Sequence, residues 1–527
     1  MNLSILLVAL LASPLVFTLI MAATPQSAGR PAFAGMHMAS LSIVLGLSLA
    51  VGVPALVSGQ AVDACGLWLH VDALSAIFVL LIGIIGFLTG LFSLPYVRHD
   101  AEAGLMGADR VKQYYALYSL FVFTMLLAAA SNNLILTWAA IEATTLSTVF
   151  LVGIYRNRDC LEASWKYAIV CTSGVAFGLF GTLLVYANAA DVMANPHEAA
   201  FFTAIMPYAG QFDPMLTKIA FAFALIGFGT KAGLFPMHTW LPDAHSQAPS
   251  PVSGLLSGVL LKVAILVIIR FYMVALAAVG ALFPSVLLLT VGILSVVTSA
   301  FSLVRQHDIK RKFAYSSVEN VGIIAVALGI GGPLGVAAAL LHCVFHGITK
   351  ALLFCLSGNL LMTYGTRDLR RITGVIEVAP VTATLLTVSL FGLAGFPPLA
   401  MFVSETMTFV AGASAHLLWV VVVVALALTV VIAVIMQIIS GSVLGHAPEG
   451  QAKGDVEPLA LVPEFILLAC IVWFGVATPT PLVAGVENSC AIVLQSDDLD
   501  ALHTAPLYRA VFDSQAAAPQ AADVQNG

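Results

Sequence analysis

Charge is what this sequence has least of. Only 9% of its 527 residues are Asp, Glu, Lys or Arg, against about a quarter in a soluble domain. With a mean hydropathy of +1.01, too little polar surface remains to face water, which excludes a soluble globular class. Basic runs are missing too. A net charge of −6 without any Lys/Arg block excludes a nucleic-acid-binding stripe or tail. The seven cysteines (65, 160, 171, 343, 355, 470 and 490) include no CxxC pair and no Cys/His cluster. No iron–sulfur or zinc site is therefore expected, and most of the thiols, which lie inside apolar stretches, read as small buried side chains. GIGGPLG at 329–335 neither follows a strand nor opens a nucleotide-binding helix, and reads as an interhelix turn. No cofactor or metal is expected on this chain. The opening MNLSILLVALLASPLVFTLIMA lacks a positive n-region and reads as a retained helix rather than a cleaved signal.

Long apolar runs are what the chain has instead. A spanning helix needs about twenty apolar residues. On that length, spans are expected near 3–23, 35–57, 72–96, 114–130, 133–155, 165–187, 217–236, 252–276, 281–304, 312–330, 334–362, 379–411, 416–442 and 457–484. The fold class is all-α, a polytopic membrane protein of about fourteen transmembrane helices. The polar tail, 495–527, is poor in bulky apolar residues and is expected to be extended or disordered.

Basic residues mark the orientation. With the loops numbered in order, the odd ones hold fifteen of the twenty-one Lys and Arg. The even loops and the tail hold two, Lys218 and Arg509, and Lys231, Lys262, Arg270 and Lys350 fall inside spans. The odd loops are therefore expected in the cytoplasm and both termini in the periplasm, across a bacterial inner membrane.

Two spans carry the same punctuation, KAGLFP (231–236) and LAGFPP (393–398), five spans apart. An odd offset inverts a repeat across the bilayer, as in transporters that place broken helices at mid-depth. Proline in a span removes a backbone hydrogen bond, and the freed carbonyls are tolerated only against protein or water.

Five charges lie deep in apolar runs: Glu142, Lys231, Lys262, Lys350 and Glu405. Each costs about 2.5–3.5 kcal/mol at the bilayer centre. Isolated and ionised, five would cost roughly 12–17 kcal/mol, more than the net stability of most folds. They must pair, line water or sit partly neutral. Structural ion pairs, such as Glu142 with Lys231, are one account, but three lysines cannot all pair with two glutamates. A desolvated lysine releases its proton readily, so a proton relay is the other account. His342, His346 and Lys350 follow at i, i+4 and i+8, which places them along one helix face. Core histidines explain this more blandly; a relay explains all three together. A metal site is disfavoured, because no further His or Cys completes a coordination shell. The segment HTWLPDAHSQAPSP (238–251) carries His238, Asp243 and His245 with three prolines. It reads either as a rigid cytoplasmic connection or as a proton entrance beside Lys231. Glu319, in AYSSVENVG, is placed near a helix start, where it would act as a cap.

These residues sit in long motifs. GTKAGLFPMHTWLPDAHSQAPSPVSGLLSGVLLKVAILVIIRF, DIKRKFAYSSVENVG and HGITKALLF resemble the proton-pumping subunit family shared by respiratory complex I, multi-subunit sodium/proton antiporters and membrane-bound hydrogenases. The resemblance runs from about 70 to 440. SNNLILTWAAIEATTLSTVFLVGIY and LEASWKYAIVCTSGVAFGLFGTLLVYANAADVM look most like the hydrogenase-4 component F branch. That branch can lack a lysine at the position of Lys262, which is a departure here. The absence of a long lateral C-terminal helix argues against the L-type complex I subunit.

The resemblance implies an N-terminal three-helix segment (1–113), two inverted five-helix units (114–280 and 281–442) and a C-terminal transmembrane helix (443–494). It assigns Glu142 and Lys231 to a coupled ion pair, Lys262 to a bridge between units, His342, His346 and Lys350 to a central relay, and Glu405 to the terminal group. The implied function is proton translocation driven by electron transfer elsewhere, with no cofactor on this chain. The implied partners are other antiporter-like membrane subunits and hydrogenase-like [NiFe] and iron–sulfur subunits. Two alternatives use the same machinery. One is an ion/proton antiporter subunit; the other is the membrane partner of a single large soluble zinc protein in inorganic-carbon uptake.

Overall fold

Asparagine and aspartate open many of the helices. The side chains of Asn2, Asp72, Asn133, Asn157, Asp213 and Asp308 each accept a backbone N–H of the first turn, satisfying donors that apolar surroundings would leave bare. The computed structural model describes residues 2–496, 499–504, 508 and 512. In chain order, the first six spans are α1 (Leu3–Ala23), α2 (Arg30–Ser58), α3 (Ala73–Glu102), α4 (Ala108–Ala130), α5 (Leu134–Val152) and α6 (Arg158–Val192). A seventh, Pro214–Gln247, is made of α7 (Pro214–Ala232) and α8 (Trp240–Gln247). Then follow α9 (Ser250–Val279), α10 (Leu282–Val304), α11 (Ile309–Ile330) and α12 (Gly332–Tyr364). The pair α13 (Pro380–Leu393) and α14 (Ala400–Ser414) precedes α15 (Leu418–Val443), α16 (Pro458–Val476) and α17 (Thr480–Leu494). Among the described residues, thirteen helices are long and apolar enough to span, and α13 with α14 forms the interrupted crossing expected at 379–411. The protein is an all-helical multi-pass membrane protein. A small antiparallel hairpin, β1 (Val62–Ala64) with β2 (Leu69–Val71), links α2 to α3.

Two helices have no lipid-facing side. The most apolar stretches of α9 and α12 are 100% buried, against 39% for α1 and α6. They meet at glycines. A Cβ on Gly258 would stand 3.0 Å from Gly347 O, and one on Gly347 2.7 Å from Gly258 O. Small residues let spanning helices approach this closely, where dispersion replaces the missing hydrophobic drive. Lys262 lies one turn from that contact on α9, and His346 and Lys350 flank it on α12.

Both punctuated segments break their helices. Gly233 ends α7 at φ +82° and Gly395 follows α13 at φ +67°, a region only glycine enters freely. Several expectations need correction. HTWLPDAHSQAPSP, expected as a connection between spans, is in large part helical: Trp240–Gln247 continues the broken seventh span. Glu319 does not cap α11, because Asp308 does, accepting from Lys310 N and Arg311 N; Glu319 is 1% exposed. The segment 443–494 holds one helix of spanning length, α16, followed by the shorter apolar helix α17. In the tail, α18 (Asp500–Thr504) is helical, and Leu502, Tyr508 and Phe512 are buried. Apart from these and Leu499, the residues beyond Ser496 lie outside the described residues.

Candidate functional site

Of the five charges expected deep in the membrane, Lys231, Lys262, Lys350 and Glu405 are buried and Glu142 is half-buried, and they gather in two groups. In the first, Lys231, the last but one residue of α7, is fully buried. Its Nζ donates to Thr145 Oγ1 at 2.9 Å and Tyr167 OH at 2.7 Å. Glu142 Oε1 accepts from Thr172 Oγ1 at 2.8 Å, and Oε2 from Thr145 Oγ1 at 3.4 Å. The expected Glu142–Lys231 ion pair is thus not a direct contact: Thr145 stands between them. Glu142 and Thr145 share a face of α5 at i, i+3.

The second group lies where α9, α11 and α12 pack. Lys262 Nζ donates to Ser257 O, and Ser257 Oγ meets Ser317 Oγ at 2.7 Å. Next in sequence, Ser316 Oγ accepts from Lys350 Nζ, which also donates to Phe313 O at 3.0 Å. Adjacent residues of α11 thus reach both lysines' surroundings: Ser317 meets Ser257, whose carbonyl holds Lys262, and Ser316 meets Lys350. His342 Nε2 lies 3.0 Å from Asn320 Oδ1, and Nδ1 lies 2.9 Å from Ser404 Oγ on α14. Asn320 Nδ2 donates to Glu319 Oε2 at 2.6 Å. The rings of His342 and His346 stack 6.0 Å apart. Both nitrogens of His346 are without partners, and the ring sits in the field of Lys262 and Lys350. Glu405 follows Ser404 and packs its carboxyl against Gly395, leaving no room there for a Cβ. The break in the twelfth crossing therefore admits the carboxyl.

The three entrance candidates separate. His238 is half-buried and stacks on Phe235 at 5.9 Å. Asp243 pairs with Arg311 at 2.6 Å and Lys166 at 3.3 Å, lining a cavity of about 230 Å³. His245 is fully buried with both nitrogens unpartnered. It stacks 5.1 Å from Phe354 and 6.5 Å from Trp240, and Trp240 packs 4.6 Å from Tyr167, the partner of Lys231. His245 thus stands between the two groups. Three residues on, Ala248 O accepts from the buried Lys310, which lines a cavity of about 780 Å³ with Asp100, Tyr155 and Arg367.

Residues 131–432 match the family described as NADH:quinone oxidoreductase/Mrp antiporter, transmembrane. The chain belongs to this family. A family relative, the hydrogenase-4 component F homolog of Methylacidiphilum infernorum, is 38% identical over 82% of this chain and 90% of its own length. Hydrogenase-4 component B of Escherichia coli is 30% identical over 65% of this chain. A probable K(+)/H(+) antiporter subunit from Rhizobium meliloti is 30% identical over 77%. The chain spans only 50% and 40% of these two longer relatives. The family fold is evident in solved structures. A chain of the archaeal membrane-bound sulfane sulfur reductase superposes with a TM-score of 0.82 at 23% identity, covering 93% of this chain and 97% of that one. A chain of the Mrp complex from Dietzia gives 0.79 at 19%, covering 94% and 97%.

Sequence reasoning missed four kinds of participant. Thr145, Tyr167, Ser257, Ser316 and Ser317 are hydroxyls whose partners depend on helix packing. Asn320 was legible only as a neighbour of Glu319. Lys310 is buried, yet DIKRKF reads as an ordinary basic loop. Glu464, in VPEFILLAC, was detectable by the same rule as the other five, a charge inside an apolar run.

Proposed function

We propose that this chain is the proton-translocating membrane subunit of a hydrogenase-4/formate-hydrogenlyase-type oxidoreductase complex. What supports the reading most is the polar line from Lys262 through Ser257, Ser317 and Ser316 to Lys350, with His342, Asn320 and Ser404 beside it, running between helices shielded from lipid. Lysines, histidines and hydroxyls within hydrogen-bond reach can pass protons where an isolated charge would be prohibitive. The similarity to the component F homolog supports the choice of complex.

In this proposal Glu142 and Lys231 work as a coupled pair through Thr145 in a first unit (114–280). Lys262 bridges to a second, inverted unit (281–442). His342, His346 and Lys350 relay, and Glu405 ends the path. A redox change in [NiFe] and iron–sulfur partner subunits would alter the field on Glu142, shift a proton at Lys231 and drive it along the line. His245 bridges the two groups or admits protons, with His238 and Asp243 nearer the mouth. Odd-numbered loops face the cytoplasm and both termini the periplasm.

Lys231→Ala tests the reading in native membranes: electron transfer should persist while proton translocation is lost, and normal translocation would sink it. The similarity to a probable K(+)/H(+) antiporter subunit favours a second reading, an ion/proton exchanger without electron transfer. Purifying the chain gently with its partners separates the two. Hydrogenase-like and iron–sulfur subunits support the first, and small membrane subunits alone support the second.

A further inference from the structure

Outside the series from Glu142 to Glu405, one more carboxyl is buried in the bundle with acceptors idle. Glu464 on α16 is fully buried. Its Oε2 accepts from Asn359 Nδ2 of α12 at 2.9 Å. Its Oε1 has no partner, and neither does Asn359 Oδ1. An ionised carboxylate offers about four lone-pair positions, and leaving most of them empty among apolar helices is costly. A proton on Oε1 removes the charge and turns an idle acceptor into a donor.

Access is the second observation. Ala460 lies four residues before Glu464 on α16, and Met362 and Thr363 lie three and four after Asn359 on α12. All three line one cavity of about 460 Å³, together with Arg98, His99 and Lys453. On both helices the pair therefore sits one turn, about 5.4 Å of rise, below the cavity. Arg98 and Glu457 pair across this cavity at 3.1 Å.

The groups facing the carboxyl are few. Cys355 of α12 is buried beside it, and Tyr96 of α3 clusters with Cys355 and Ala460. From α13, Thr382 Oγ1 lies 3.5 Å from Asn359 Nδ2. Asp455 is the charge that acts on Glu464, and it has the same sign. Asp455 is itself engaged, accepting from Val381 N and Thr382 N at 3.1 and 2.8 Å. Among the described residues, no ammonium or guanidinium stands by to neutralise a carboxylate here.

We propose that Glu464, held by Asn359, is a further proton-binding carboxyl that exchanges protons with the cavity above Ala460, Met362 and Thr363. It lies off the Lys262–His342 line but is tied to the relay helix α12 through Asn359, nine residues beyond Lys350. Loading or releasing a proton there changes the charge beside the relay helix without entering the line. The site stands whether or not Lys350 conducts.

Difference infrared spectroscopy of the protein in its native membrane complex, with pH stepped and water exchanged for D₂O, tests this directly. A protonated-carboxyl band that responds to pH should be present in the wild type and missing from Glu464→Gln. In Asn359→Leu, which removes the N–H that favours the carboxylate, the band should persist to a pH about one unit higher or more. Identical spectra for wild type and Glu464→Gln would overturn the proposal. So would a Glu464 band unchanged by pH in both wild type and Asn359→Leu, which would make it a permanently neutral structural acid. Loss of pumping in Lys231→Ala leaves these bands unaffected, so the two ideas fail separately.

Discussion

Glu142 and Lys231 do not touch; the Thr145 hydroxyl lies between them, 2.9 Å from Lys231 Nζ and 3.4 Å from Glu142 Oε2. A hydroxyl can donate and accept at once, so it transmits a proton or a dipole reorientation where a direct ion pair would only hold charge. Thr145→Val keeps the shape and removes that link. A hydrogen bond to a charged group contributes about 1.5–3 kcal/mol, which in a rate is roughly 10- to 150-fold. Proton translocation should fall by about that factor, with the folded yield close to wild type. An unchanged rate would show that Tyr167 alone serves Lys231.

His342 ties three helices together, reaching Asn320 on α11 and Ser404 on α14 from its place on α12. If it relays, its two nitrogens act in series, and losing either partner should be nearly as harmful as losing both. Ser404→Ala and Asn320→Leu should each slow proton translocation, and the double variant should be far from additive. Simple additivity of the two losses would assign the contacts to packing rather than transfer.

How much of this was legible depended on whether a feature is local. The His342–His346–Lys350 stripe could be read because helical spacing fixes which residues share a face. The breaks at Gly233 and Gly395 could be read because glycine and proline act through their own backbone. Thr145 and the Ser316–Ser317 pair could not be, since hydroxyls are common in spanning helices and only packing decides what they meet. Lys310 is the reverse case: its sequence neighbours are basic and loop-like, but α11 begins at Ile309 and carries it inward to Ala248 O. Glu319 shows the same effect, because an edge set a few residues late makes a deep carboxyl look like a cap.

His245 offers a substitution that separates chemistry from packing. Its ring stacks on Phe354 and near Trp240, while neither nitrogen is engaged. His245→Phe preserves the stack and removes every titratable atom. Thermal stability should be unchanged or slightly higher, because two unpartnered polar atoms leave the interior. Proton translocation should be lost if His245 links the Lys231 and Lys350 groups, and retained if it only fills space.

Arg270 and Asp72 make the clearest structural ion pair, 2.8 Å apart and each less than 15% exposed. Asp72 also caps α3 by accepting from Ser75 N. Burial pushes the Asp72 carboxyl up, but the Arg270 charge and hydrogen bond, with His70 and Ser75, outweigh it and hold the group below its usual range. Removing one partner of such a pair leaves a buried charge uncompensated, at a cost of about 3–5 kcal/mol. Arg270→Leu should therefore lower the unfolding midpoint in detergent at pH 7 substantially. The sign of the pH dependence follows from the depressed carboxyl: its contribution is present above the unfolded value and is lost as pH falls through the folded one. Without Arg270, burial of Asp72 is opposed only by His70 and Ser75, so the gap between wild type and Arg270→Leu should be widest near neutral pH and narrow as the pH falls toward the ordinary carboxylate range, where the variant's uncompensated charge takes up a proton. A gap that stays constant down to about pH 4 would show that an uncompensated Asp72 charge is not what Arg270→Leu leaves behind.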